Sequence, residues 1–62
     1  MRYREVRKAL SKGGCEILRQ KGSHVIWYSP VTDKVFPVPN HPSKDLPKPL
    51  LKAIQEQSGI KL

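Results

Sequence analysis

Few residues of this chain have the chemistry to react at neutral pH: two histidines, His24 and His41, one cysteine, Cys15, and five carboxylates. An imidazole titrates near pH 6.5, so it can both take and give a proton where carboxylates and lysines stay in one state. His24 closes the run Arg19-Gln20-Lys21-Gly22-Ser23-His24. There Lys21 and Arg19 supply positive charge, while Gly22 and Ser23 offer a backbone N–H and a hydroxyl to a phosphate oxygen. Taken by itself, Gly-Ser-His is also the composition of a polar hairpin turn. His41, flanked by Asn40 and Pro42, can approach the same site or brace its loop, and bracing is the reading we favour.

Other chemistries fit less well. Two histidines far apart in sequence, one cysteine and scattered carboxylates match no zinc spacing, so no metal and no cofactor are expected. No glycine loop ending in Lys-Ser or Lys-Thr is available to cradle a nucleotide phosphate. Cys15, next to a glycine pair, reads as core filler. Trp27 and Tyr28 are both able to stack on an unpaired base, yet adjacent strand residues face opposite sides and at most one of them does so.

The charge supplies a partner for such a site. Twelve Lys and Arg against five Asp and Glu give a net +7. Residues 1 to 21 carry seven cations (Arg2, Arg4, Arg7, Lys8, Lys12, Arg19, Lys21) and two anions (Glu5, Glu16), so the excess is concentrated there. A field of this sign on a small body attracts polyanions, nucleic acid first among them, although charge alone also serves solubility. A lone cysteine allows no internal disulfide, no apolar run reaches membrane-span length, and no apolar segment follows the basic Met1-Arg2-Tyr3-Arg4. The expected location is the cytoplasm, with no membrane partner. We expect residues 1–62 to form one domain with a thin core, because a chain of this size buries only about 60% of its unfolded surface.

The elements that must position these groups follow from periodicity. Tyr3, Val6, Ala9 and Leu10 repeat at helical spacing with Arg4, Arg7 and Lys8 on the other side, and Gly13-Gly14 ends that helix through the left-handed conformation glycine tolerates. Cys15 to Gln20 and Ser23 to Tyr28 read as strands joined by a tight turn at Lys21-Gly22. Val35 to Val38 reads as a third strand, with Pro37 marking a sheet edge. Pro39 to Lys48 is a connecting loop. Pro49 suits the first turn of a second helix and Lys48, preceding a proline, is expected just outside it. Leu50, Leu51, Ala53 and Ile54 give that helix an apolar face, Gly59 stops it, and Ile60 is expected to fold back on Ile54.

The order is therefore helix, strand, strand, strand, helix. Two amphipathic helices need one apolar sheet face to cover, which predicts an α+β fold with both helices on one side of a three-stranded antiparallel sheet. The period of two puts Ser23, Val25 and Trp27 on one face of the second strand and His24, Ile26 and Tyr28 on the other. With Trp27 in the core, His24 and Tyr28 look out to solvent.

The run Arg19 to His24 resembles the HicA family of toxin messenger-RNA interferases, also called YcfA-like proteins. The likeness continues in Val38-Pro39-Asn40-His41, in Lys44-Asp45-Leu46-Pro47 and in the closing helix Leu50 to Ile60, and it spans Arg4 to Ile60. It departs from the family at Cys15, where a larger aromatic is common, and at Pro49, where a glycine often opens the helix. The resemblance implies an α-β-β-β-α fold like that of double-stranded-RNA-binding domains, ribonuclease activity on messenger RNA with His24 as the catalytic histidine, and a HicB-type antitoxin protein as partner. Such a chain would be the toxin of a type II toxin–antitoxin pair.

The chemistry agrees with that implication. RNA carries its own nucleophile in the 2′-hydroxyl, and a histidine accepts its proton as general base without a metal. Arg19 and Lys21 would stabilise charge gathering on the phosphoryl oxygens, Gly22 leaves room for close approach, and Ser23 and Tyr28 complete the expected RNA contacts. Single-stranded RNA is the expected substrate, and DNA, which lacks the hydroxyl, is not an expected partner. The acid that protonates the leaving oxygen stays open among His41, a lysine and water. Two other readings stand beside this one: a non-catalytic RNA-binding module using the same basic surface, and a structural subunit whose sheet docks another protein.

Overall fold

A computed structural model describes residues 1–41 and 44–62; Pro42 and Ser43, which the sequence assigns to the connecting loop, lie outside the described residues. The elements run α1 (Tyr3–Lys12), β1 (Glu16–Lys21), β2 (His24–Ser29), β3 (Lys34–Pro39) and α2 (Lys48–Ser58). The strands form one antiparallel sheet in the order β1-β2-β3, so β2, with the strongest run of β-forming residues, is central. β3 is an edge, as its prolines require, since Pro37 and Pro39 cannot donate to a further strand.

The expected face parity holds. Val25 and Trp27 of β2, with Phe36 and Val38 of β3, are buried, while their strand neighbours point away. Against that inner face lie Tyr3, Val6 and Leu10 of α1, Leu46 from the loop, and Ile54 of α2, with Leu50, Leu51 and Ile60 packed at the margin. Both helices therefore cover one side of the sheet. Cys15 is buried in the same cluster and serves as filler there. Burial raises the Tyr3 hydroxyl above its ordinary value of 10.0, opposed by weaker effects of the Trp27 indole N–H and the Arg7 charge. That indole N–H makes no hydrogen bond of good geometry among the described residues.

Local chemistry explains most boundaries. The Glu5 carboxylate accepts the backbone N–H of Arg2 at 3.0 Å, half of a capping box, since a guanidinium has no acceptor with which to complete it. Gly13 caps α1 with right-handed angles, and of the glycine pair it is Gly14 that takes the positive φ, +94°. Gly13 has a packing role instead: a Cβ there would run into the Ile60 side chain, which would have to shift. Ile60 thus folds against the end of α1 and packs at the margin of the core. Gly59 ends α2 at φ +73°, donating to the Gln55 carbonyl at 2.8 Å.

Two other expectations are corrected. Lys48 is the first residue of α2 and Pro47 is its extended N-cap, so the bias against helical angles before a proline is overridden when the whole turn is built from Pro47-Lys48-Pro49. The β1–β2 turn consists of Gly22-Ser23, with Lys21 still paired to His24.

The C-terminal end of α2 is fastened to the β2–β3 turn. The fully buried Ser29 hydroxyl donates to the Ser58 carbonyl and accepts the Val31 N–H at 3.2 Å, and the Thr32 hydroxyl donates to the Gln57 carbonyl. These bonds satisfy carbonyls that the last turn of a helix leaves unpaired.

Candidate functional site

The face of the sheet away from the helices carries the residues singled out for chemistry. Opposed residues of an antiparallel pair share a face, so the register arranges them in rows. Lys21, His24 and Pro39 form the first row, Arg19, Ile26 and Pro37 the second, and Glu16, Tyr28 and Val35 the third.

One irregularity makes this arrangement possible. The β1–β2 pairing slips between Ile17, opposite Trp27, and Arg19, opposite Ile26, leaving Leu18 as an extra residue. Without that bulge the period of two would put Ile17 on the same face as Arg19 and Lys21. With it, Ile17 turns to the Trp27 side, and Glu16 takes its place on the outer face, opposite Tyr28 and in line with Arg19 and Lys21.

His24 sits at the first position of the central strand, exposed, directly across from Lys21. The turn before it is held at several points. Gly22 has φ +58° while Ser23 stays negative, the pattern of a type II′ hairpin turn with glycine first. The Gln20 side-chain amide donates to the Gly22 carbonyl at 3.2 Å, and the Asn40 backbone N–H donates to the Ser23 carbonyl at 2.6 Å. A Cβ on Gly22 would meet nothing within 4 Å, so this position opens to solvent and to any ligand backbone.

Among the described residues the one ion pair joins Arg2 and Asp45 at 3.8 Å, both exposed. Arg19 and Lys21 therefore keep their charge free of carboxylate partners. At the far end of the face the Tyr28 hydroxyl donates to Asp33 Oδ1 at 2.7 Å, and Asp33 itself holds a left-handed φ of +57°. The Asp33 hydrogen bond is the main influence raising the Tyr28 hydroxyl above its ordinary value, with desolvation and the charges of Asp33 and Glu16 adding to it.

The structure thus brings His24, Lys21, Arg19 and Tyr28 onto one face, with Gly22 and Ser23 at its rim. Among the described residues His41 is tied to that rim through the backbone of Asn40; its side chain is exposed, and its carbonyl accepts the Lys44 N–H at 3.1 Å. No group of three or more His, Cys, Asp or Glu side chains gathers among the described residues, and no described helix is long and apolar enough to cross a membrane. A hollow of about 390 Å³ lined by Arg2, Tyr3, Arg4, Glu5 and Asn40, and one of about 300 Å³ lined by Arg4, Arg7, Lys8 and Ser11, lie outside the His24 face.

Sequence reasoning missed Val35, Pro37 and Pro39 as members of this face. The signal was present, because the period of two that orients β2 applies equally to β3.

The chain matches the family model described as HicA toxin of bacterial toxin–antitoxin over residues 3–60. No curated protein and no solved structure matches it.

Proposed function

This chain belongs to the HicA toxin family of bacterial toxin–antitoxin systems, and we propose from that premise that it is a one-domain endoribonuclease that cleaves single-stranded messenger RNA in the cytoplasm. The observation that carries the reading is the pairing of exposed His24 with Lys21 on the open sheet face, beside Arg19 and behind a turn with room for a phosphate. The α-β-β-β-α order with both helices on one side also fits a fold like that of double-stranded-RNA-binding domains.

His24 acts as general base. It takes the proton of the 2′-hydroxyl, the freed oxygen attacks the adjacent phosphorus, and the P–O5′ bond breaks, giving a 2′,3′-cyclic phosphate and, once protonated, a 5′-hydroxyl. Lys21 and Arg19 offset the charge on the phosphoryl oxygens as the P–O bonds change. No metal is required, because nucleophile and base are already present. A HicB-type antitoxin keeps the activity in check.

The test is incubation of the purified chain with end-labelled RNA in chelator, beside RNA carrying 2′-deoxy substitutions. Cleavage ending in cyclic phosphate and blocked by deoxy substitution is expected. Binding without shortening of the RNA would instead mark a non-catalytic RNA-binding module.

A further inference from the structure

The outer sheet face is not uniform across its width. On the β1 side it presents Lys21 and Arg19, and on the β3 side Pro39, Pro37 and Val35, with His24, Ile26 and Tyr28 as the ridge between. Val35 is 57% exposed, Pro37 is exposed, and no helix covers either of them. We propose that this face binds an unpaired RNA strand lengthwise, with phosphates along Lys21 and Arg19 and bases turned onto the apolar β3 strip, Tyr28 stacking one base a few nucleotides from the phosphate at His24. This inference rests on the reading that the chain binds single-stranded RNA at His24 and adds the orientation of the strand on the face and the place where a base stacks.

Three features set the orientation. Within the three rows of this face the cations, Lys21 and Arg19, lie on the β1 side only, since Lys34 of β3 pairs with Ser29 and belongs to the other face, and the strip Val35, Pro37 and Pro39 has no charge with which to neutralise a phosphate. A duplex would lay its second row of phosphates across that strip, whereas an unpaired strand turns its bases toward it. Glu16 closes the β1 side opposite Tyr28, so an anionic backbone following Lys21 and Arg19 is turned away there and the base is what reaches Tyr28.

Tyr28 is prepared for the contact. From His24 to Tyr28 the strand runs about 13 Å. The ring is half-buried among its sheet neighbours, and its hydroxyl is fixed by Asp33 at 2.7 Å. A ring already held loses little freedom when a base stacks on it. The prolines contribute as well: Pro37 and Pro39 lack the N–H that would pair with another strand, so this edge presents side chains instead of a template for β-addition.

The experiment uses the full chain with His24→Ala, so that binding is read without cleavage, and fluorescein-labelled oligoribonucleotides followed by anisotropy. The probes are a single strand, the same strand annealed to its complement, and a series with one abasic ribose at each position. The single strand should bind at least tenfold more tightly than the duplex, and one or two abasic positions should lose about tenfold, the usual effect of removing one stacked base. That positional loss should vanish when Tyr28→Ala is added. Val35→Lys, at an exposed edge site that does not threaten folding, should raise duplex affinity and narrow the gap.

Equal affinity for single strand and duplex with no sensitive abasic position would overturn the division of the face while leaving RNA binding intact. Affinity lost on replacing Arg4, Arg7 and Lys8 but unchanged by Lys21→Ala would overturn it by moving the phosphates to α1. No binding to any of these RNAs would overturn the inference and the functional reading together.

Discussion

The backbone N–H of Asn40 donates to the carbonyl of Ser23 at 2.6 Å, tying the loop that carries His41 to the residue before His24. The tie runs through the main chain and survives replacement of the His41 side chain. His24→Ala should lower RNA cleavage by about 10²–10⁴, the usual loss for a general acid or base, with the fold intact because His24 is exposed. His41→Ala should cost less than about tenfold, as expected of a residue outside the proton transfers. Cleavage rates with circular dichroism on both variants check this. Equal, large losses would make His41 the acid for the leaving oxygen, and an unaffected His24→Ala would remove His24 from catalysis.

Lys21 stands across from His24 with no carboxylate beside it, so its charge is available to a phosphate. Lys21→Ala should weaken RNA binding and flatten the plot of log affinity against log salt by about 0.7, the contribution of one contact to a single strand. Arg19→Ala should do the same from the second row. A salt slope unchanged in both variants would place the phosphates elsewhere.

Some of this architecture is legible in residue spacing alone. Tyr3, Val6 and Leu10 specify the inner face of α1, and one large residue, Trp27, orients β2 and thereby turns His24 outward. What escaped has physical reasons. Ile17 and Leu18 are adjacent and both apolar, so either register along β1 reads equally well, and only pairing against β2 reveals that Leu18 is extra. Ser29 meets Ser58 across the whole second half of the chain, a contact with no local signal. The contact of Ile60 with Gly13 joins opposite ends of the sequence and makes a presumed turn glycine a packing glycine. The apolar strip on β3 escaped because valine and proline carry no reactive group, and only the strand pairing sets them beside His24.

Two glycines with positive φ should respond differently to the same change. Gly22→Ala meets open space, so only the backbone strain of a positive φ at the first position of a type II′ turn is incurred, about 1–3 kcal/mol. Gly59→Ala adds to similar strain a Cβ 2.7 Å from Val31 Cγ1 and 3.1 Å from Thr32 Cγ2, beside the bonds that fasten α2 to the β2–β3 turn. Gly59→Ala should therefore lower Tm further, each kcal/mol counting for roughly 4–8 °C in a domain this small. Thermal melts followed by circular dichroism read the difference; an equal or reversed order would show that the α2 cap tolerates the methyl group.

Tyr28 makes stability fall at alkaline pH. Its hydroxyl can donate to Asp33 only while protonated, so its ionisation lies above the ordinary 10.0 in the folded chain. A raised folded value means that the stabilisation is fully present below the unfolded value and is lost as pH rises through the folded one. Ultraviolet titration should show Tyr28 ionising late, and Asp33→Asn, which removes the facing charge, should bring that step to lower pH. Tyr3, raised mainly by burial, also ionises late, so Tyr28→Phe is needed to separate the two. A step that does not move in Asp33→Asn, where the amide oxygen can still accept, would mean that the Asp33 charge does not act on the hydroxyl, and a step that does not move in Asp33→Ala either would mean that the hydrogen bond is not formed in solution.

The antitoxin should cover the His24 face and stabilise the chain in doing so. A nuclease acting on its own cell's messages must be held in check, and the net charge of +7 favours an acidic or neutral surface on the partner, with encounter speeded at low salt. A chain this small gains disproportionately from binding, since a partner present at a thousand times its Kd adds about 4 kcal/mol. Hydrogen exchange with and without the protein that co-purifies from the native host, alongside an RNase assay on the complex, reads both effects. Protection should extend over Gly22 to Tyr28, with RNA left uncut. If protection were confined to α1 and α2 and RNA were still cleaved, inhibition by covering His24 would be ruled out. The same partner would then have to act on the helical side, where Arg4, Arg7 and Lys8 line their own hollow.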